Sequence, residues 1–313
     1  MNTIEKALLK KQTDSESTAN SKGLDEPTNS IERAEALNQN TADKSTLTKS
    51  TVAKKITVPT EEADTGDLEE SKFINIDIDK LNERGFVSNN TGRKLINEEF
   101  RAIKRKVLDN AFGALSKSLT NPNIIMITSS RPGEGKTFTA VNLALSIALE
   151  KDKTVLLVDA DVLRPNVMRT LELKNQVGLI EYLLGEKKDI SDVMCKTNIP
   201  NLRIIPAGRA HHLSTELLAS EKMYEAVEEF ANRYPDRVVI VDTPPLLGIN
   251  ETAILANLAG QAIVVTEENK SKLHDIKKAV DQLNPEMAIG FIVNKAQSTS
   301  GDAGYGYYYA GAK

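Results

Sequence analysis

The sequence predicts an α/β fold, a doubly wound and mostly parallel sheet with helices on both faces, and three observations carry that prediction. From Asn123 onward, short β-rich runs alternate with helical segments, the order that layered α/β folds require. The runs VLLVD at 155–159 and VVIVD at 238–242 are apolar without period-two alternation, as expected of strands buried on both faces of a parallel sheet. The apolar run Ile124-Ile125-Met126-Ile127 leads into the glycine-rich SRPGEGKT, Ser130 to Thr137, and then into TFTAVNLALSIALE. That is a strand, a loop and a helix in succession.

The elements follow in chain order. Residues 1–72 contain no Phe, Tyr or Trp and are dominated by Ser, Thr, Asn, Asp, Glu and Lys. Such a segment buries too little apolar surface to offset its conformational entropy and is expected to be disordered. One exception is IEKALLKK near the start, where Ile4, Ala7, Leu8 and Lys11 mark an amphipathic turn or two, too short to be a stable helix alone in water. FINIDIDKL, from Phe73, reads as an extended lead-in to a domain spanning 73–300. NEEFRAIKRKVLDNAF, from Asn97, places Phe100, Ile103, Val107 and Leu108 at helical spacing with basic residues opposite. Strands are expected near 124–129, 154–158, 202–206, 237–242, 261–266 and 288–293. Helices are expected over about 136–150, 176–185, 215–233, 251–258 and 272–283. In 301–313, Gly and Ala around a tyrosine cluster predict a flexible tail.

The glycine-rich loop points to a bound phosphate. Gly133 and Gly135 let successive backbone N–H groups aim at one anion without Cβ clashes. Lys136 reaches the β- and γ-phosphates, the Thr137 hydroxyl ligates Mg²⁺, and the helix that follows offers its positive end. Ser130 stands where the first Gly of GxxxxGK[ST] normally sits. Candidate nucleotide-binding residues are Ser130, Pro132, Gly133, Glu134, Gly135, Lys136 and Thr137. VLLVDAD ends a strand with Asp159 and Asp161, and VVIVDTPP ends another with Asp242. Ligands of doubly wound folds bind at such strand ends. Phosphoryl transfer needs Mg²⁺ with carboxylates around its waters, and a carboxylate base near the attacking oxygen.

Composition excludes several classes. Net charge is −4, which argues against nucleic-acid binding by bulk electrostatics. Residues 1–72, with 10 Lys or Arg against 14 Asp or Glu, hold all of it. The single cysteine, Cys195, forms no internal disulfide, fits a reducing cytosol, and reads as a small buried apolar residue. No apolar run approaches the roughly 18–20 residues of a membrane span, and no signal-peptide pattern opens the chain. The expectation is a soluble protein whose membrane role comes through a partner. His211 and His212 are expected in a surface loop, without the further ligands of a metal site.

These motifs resemble those of the bacterial tyrosine kinases, P-loop kinases of exopolysaccharide and capsule export. Their Walker A is close to SSRPGEGKT, their Walker A′ to VLLVDAD with Arg and Pro after it, and their Walker B to VVIVDTPP. NLRIIPAG and STELLAS fit as well, and the similarity runs from about Phe73 to the C-terminus. The resemblance implies a P-loop NTPase fold of the MinD/ParA-like kind, with ATP and Mg²⁺ as cofactors. It implies Lys136, Asp159 and Asp161 as catalytic residues; catalytic base and magnesium-water ligand divide between the two aspartates in an order left open. Thr137, Asp161 and Asp242 would hold the metal, and Asn294 in FIVNK would contact adenine. Two positions depart from the family. Leu163 stands where Arg usually follows DAD, with Arg164 next. The interface motif Glu-x-x-Arg-x-x-Arg reads Glu98, Arg101 and Lys104 here, and lysine cannot reproduce a bidentate arginine contact.

Four of the seven tyrosines, Tyr305, Tyr307, Tyr308 and Tyr309, lie in GYGYYYAGAK, and the family ends in such a cluster, phosphorylated by the enzyme itself. Each phosphotyrosine adds about −1.5 to −2 charge, so the expected cycle runs between associated, unphosphorylated and dispersed, phosphorylated states of a homo-oligomer, ring-like in the family. The alternative reading is a MinD- or ParA-like partitioning or positioning ATPase, which carries a signature lysine where Arg131 stands and lacks a tyrosine tail. A nucleotide-bound adaptor is the third class. The HRD and DFG motifs of eukaryotic-type kinases are absent from the sequence. A kinase without a transmembrane part is similar to the separate-chain arrangement, including kinases linked to exosortase-type loci. Its expected partners are a membrane polysaccharide co-polymerase (chain-length determinant) as activator and a tyrosine phosphatase. Its expected place is the cytoplasm, at the inner face of the membrane through that partner.

Overall fold

A computed structural model of the chain describes residues 73–88 and 94–296. The polar region 1–72, with IEKALLKK, and the tail 301–313, with its four tyrosines, lie outside the described residues. Eight strands form one sheet in the order β1-β4-β5-β3-β6-β2-β7-β8. They are β1 Phe73–Ile74, β2 Ile124–Ser129, β3 Thr154–Asp159, β4 Cys195–Thr197, β5 Leu202–Ile205, β6 Arg237–Asp242, β7 Gln261–Glu267 and β8 Ala288–Asn294. From β5 to β8 every pairing is parallel. β4 pairs antiparallel with β5, and β1 parallel with β4. The doubly wound, mostly parallel sheet expected from the sequence is the one observed.

Helices cover both faces. α1 is Ile78–Glu83, α2 Leu95–Phe112, α3 Lys136–Ala148, α4 Val167–Thr170, α5 Leu179–Leu183, α6 Ser214–Leu218, α7 Glu221–Asn232, α8 Asn250–Ala256 and α9 Leu273–Val280. One core layer packs α5, α6, α7, α8 and α9 onto Leu156, Val158, Val239, Val241 and Val264. The other packs α1 to α4 onto Ile125, Ile127, Leu157, Ile240, Ile263 and Val265. Adjacent residues of one strand feed opposite layers, which is why the central runs show no polar alternation. α3 is buried almost all round, lying between the sheet and α2.

Three expectations change. The helix expected over 215–233 is two helices, because Ser220 is extended (φ −77°, ψ 156°) and its hydroxyl donates to the Leu217 carbonyl at 2.7 Å. A serine hydroxyl that bonds nearby backbone in this way competes with a continuous helix. The extended lead-in from Phe73 shortens to two strand residues and then turns helical at Ile78, where the Asp77 side chain accepts from Lys80 N–H. β4, which carries the buried Cys195, gave too short a run to be read.

Candidate active site

The strand order assembles the site. β6 lies between β3 and β2, so the loop leaving β2 and the carboxylates ending β3 and β6 emerge side by side. Asp159 and Asp242 stand directly opposite one another in register, and Ile127 is opposite Asp242. Gly133 and Gly135 take φ values of +87° and +103°, a left-handed region that L side chains enter only with strain. Gly135 also has no room: a Cβ there would overlap Asn294 Nδ2. Lys136 and Thr137 then open α3, whose axis points its positive end at the loop.

Lys136 Nζ lies 3.9 Å from Asp161 Oδ2, and Thr137 Oγ1 donates to Asp242 Oδ2 at 2.6 Å. Asp159 Oδ2 accepts the N–H groups of Asn166 (3.1 Å) and Val167 (3.0 Å), which fixes that carboxylate at the start of α4. Asp161 Oδ1 accepts from Arg164 N–H at 3.1 Å. The second oxygens of Asp159 and Asp242 are buried and find no hydrogen-bond partner among the described residues. Burial pushes the Asp159 carboxyl up to about 7, against the two N–H donors near α4, with the charge of Asp161 adding to the rise. Burial likewise raises Asp242 well above the usual carboxylate range, aided by Asp159 and opposed by the Thr137 hydrogen bond.

Buried carboxylate oxygens without donors can take up a cation or a proton. Among the described residues no three His, Cys, Asp or Glu side chains converge to hold an ion by themselves. An ion here therefore needs further oxygen ligands, and Mg²⁺ characteristically takes them from water and phosphate. The donor set fits a magnesium nucleotide.

Other predicted residues find different surroundings. The Glu134 side chain is 4% exposed and turns inward: its carboxylate accepts from Ser130 Oγ (3.0 and 3.1 Å), from Arg131 N–H (2.7 Å) and from Ser271 Oγ. Ser130, the departure from the glycine pattern, thus closes the loop on itself. Asn294 Nδ2 donates to the Glu134 carbonyl at 3.0 Å. Sequence reasoning missed the outer ring: Lys295 Nζ donates to the Gly133 carbonyl at 2.8 Å and pairs with Glu267 at 3.0 Å, and Arg131 Nε pairs with Asp275 at 2.8 Å. These partners lie more than 130 residues from the loop, so no local pattern marks them.

The structure also divides the residues expected at a self-association surface. Glu98 and Arg101 share the exposed face of α2 and pair at 2.7 Å. Lys104 is 8% exposed; its ammonium donates to the Ser146 carbonyl at 3.1 Å and pairs with Glu150. It answers the negative C-terminal end of α3, and the basic face read for this helix is basic on its inner side too.

A family profile described as an AAA domain matches residues 122–289. A tyrosine-protein kinase of Bacillus subtilis (strain 168), YwqD, is 32% identical over 228 residues, covering 72% of this chain and 92% of that protein. The chain belongs to the bacterial tyrosine kinases. The tyrosine-protein kinase CpsD of Streptococcus agalactiae serotype III is 36% identical over 179 residues, covering 56% of this family member and 75% of CpsD. Among solved structures, the kinase domain of Escherichia coli tyrosine kinase ETK superposes with a TM-score of 0.56 at 26% identity, covering 74% of this chain and 95% of that domain. The BceF tyrosine kinase domain gives 0.57 at 26% identity, covering 68% and 86%. This family's nucleotide-binding fold is therefore in place. Among the described residues no helix is long and apolar enough to cross a membrane.

Proposed function

We propose that this kinase binds ATP with Mg²⁺ and transfers the γ-phosphoryl group to tyrosines of its own tail, Tyr305, Tyr307, Tyr308 and Tyr309. The observation that carries the reading is the meeting of Lys136, Thr137 and three strand-end carboxylates at one glycine loop, two of those carboxylates with a buried oxygen awaiting a partner. Bound Mg²⁺ would neutralise phosphate charge, held by the Thr137 hydroxyl and, through water, by Asp242 and one aspartate of the 159/161 pair. Lys136 sets its ammonium against the β- and γ-phosphates. The other aspartate of the pair takes the tyrosine proton as the phenolic oxygen bonds to the γ-phosphorus, and the β–γ bridging P–O bond breaks to release ADP.

Further assignments rest on the same reading. Glu98 and Arg101 on α2 form the self-association face, and Lys104 supports it by fastening α2 to α3. A membrane polysaccharide co-polymerase activates the kinase, a tyrosine phosphatase resets it, and the cycle governs exopolysaccharide or capsule polymerisation and export at the inner face of the membrane. Incubation with γ-labelled ATP and Mg²⁺ tests the core claim. Label should appear on the peptide containing 301–313 and vanish when the four tyrosines become Phe or when Lys136→Met is made. Free phosphate without labelled tyrosine would instead mark a partitioning ATPase, and neither product would mark an adaptor.

A further inference from the structure

We infer that Ser271, Glu134, Asn294 and Lys295 form a clamp that aims the phosphate loop, and that Asn294 acts on the nucleotide through the loop rather than through its base. The inference rests on the nucleotide-site reading above. In a trans peptide the carbonyl and the following N–H point to opposite sides. Lys295 Nζ draws the Gly133 carbonyl toward the end of β8, and Asn294 Nδ2 draws the Glu134 carbonyl the same way. The N–H groups of Glu134 and Gly135 must then face away from β8, into the loop. Those are two of the donors on which a phosphate cradle depends.

The Glu134 side chain secures the same peptides from beneath. Its buried carboxylate gathers Ser130 Oγ, Arg131 N–H and Ser271 Oγ, so the loop is tied both to itself and to the turn before α9. Lys295 is held in turn by Glu267 at the end of β7. Asn294 packs so closely on Gly135 that any side chain there would strike its amide. Together with Glu134, the distant residues Glu267, Ser271, Asn294 and Lys295, from β7, the turn after it and the end of β8, set the direction of groups they do not follow in sequence. They are positioning residues.

Binding of three ligands separates this role from base recognition. Asn294→Leu keeps roughly the size of the side chain and removes its donor without adding a charge. Affinities for Mg·ATP, Mg·GTP and Mg·tripolyphosphate, which has no base, should all fall together, by about five- to tenfold. Lys295→Met, at a more exposed position, should lower all three in the same proportion, and Lys295→Arg should restore them. The KM for ATP should rise in step, with kcat changing less, while melting temperatures report that each variant is folded. Loss of ATP binding alone, with tripolyphosphate unaffected, would overturn the clamp in favour of an adenine contact. Unchanged affinity for all three ligands would overturn it outright. Should the unaltered chain bind neither ATP nor tripolyphosphate, the nucleotide-site reading itself falls, and the clamp with it.

Discussion

Gly133 and Gly135 share a left-handed backbone but not their surroundings. Around Gly133 a Cβ would meet nothing within 4 Å, whereas at Gly135 it would overlap the Asn294 amide. Gly133→Ala therefore costs only backbone strain, about 1–2 kcal/mol. Gly135→Ala adds displacement of Asn294 and should weaken ATP binding by clearly more, on the order of tenfold beyond the first variant. Calorimetric titration of the two side by side checks this; equal losses would show that the loop relaxes around the added methyl. The chemistry of these positions was legible because a phosphate loop is local: two glycines, Lys136 and Thr137 fall within eight consecutive residues. The direction of Glu134 was not. Read as a nucleotide-binding residue, it instead turns its carboxylate inward onto Ser130 and Arg131 of the loop and onto Ser271 from a distant turn.

At the scale of elements, α1 and α2 show how charge attaches one helix to the end of another. Lys80 of α1 and Arg84 just after it reach Glu172 beyond α4, and the Lys80 hydrogen bond holds Glu172 below the usual carboxylate range. A carboxyl group whose folded pKa is depressed contributes stability above its unfolded pKa and loses it as pH falls through the folded one. Acid unfolding should therefore be less steep for Glu172→Gln than for the parent below about pH 4, by a small margin because the pair is exposed. Melting curves across that range measure it. On α2, reversing Glu98 or Arg101 should shift sedimentation toward smaller species with little change in melting temperature. Lys104→Met should act first on the fold, lowering its stability by about 1–3 kcal/mol through the orphaned Ser146 carbonyl and Glu150, and should weaken association only as α2 loosens from α3. Helical spacing made α2 legible as a helix, but it could not show which cation faces inward, since that depends on where α3 ends. The parallel strands were legible for the reverse reason: burial on both faces writes itself into the run. The Ser220 break between α6 and α7 carried a usable signal, a good capping residue inside a long helical pattern.

Across the whole molecule, the proposed reaction makes enzyme and substrate one chain, and its kinetic order tells how they meet. If tails enter neighbouring active sites, the initial rate of self-phosphorylation per molecule rises with protein concentration. In a mixture, the wild type should then label a Lys136→Met chain. Rates independent of concentration, with no label on the inactive chain, would place the transfer within single molecules. β8 matters here beyond its place in the sheet, because it delivers Asn294 and Lys295 to the phosphate loop and the chain continues from there. Only eight residues separate Ala296 from Tyr305, a tether that reaches at most about 30 Å when fully drawn out. If Tyr305 is an acceptor, as proposed, that length bounds how far from Ala296 a receiving site can lie. A neighbour can be served only if its mouth falls inside the same radius. Lengthening that leash, rather than altering any catalytic group, would then be the simplest way to change which subunits a given kinase can modify.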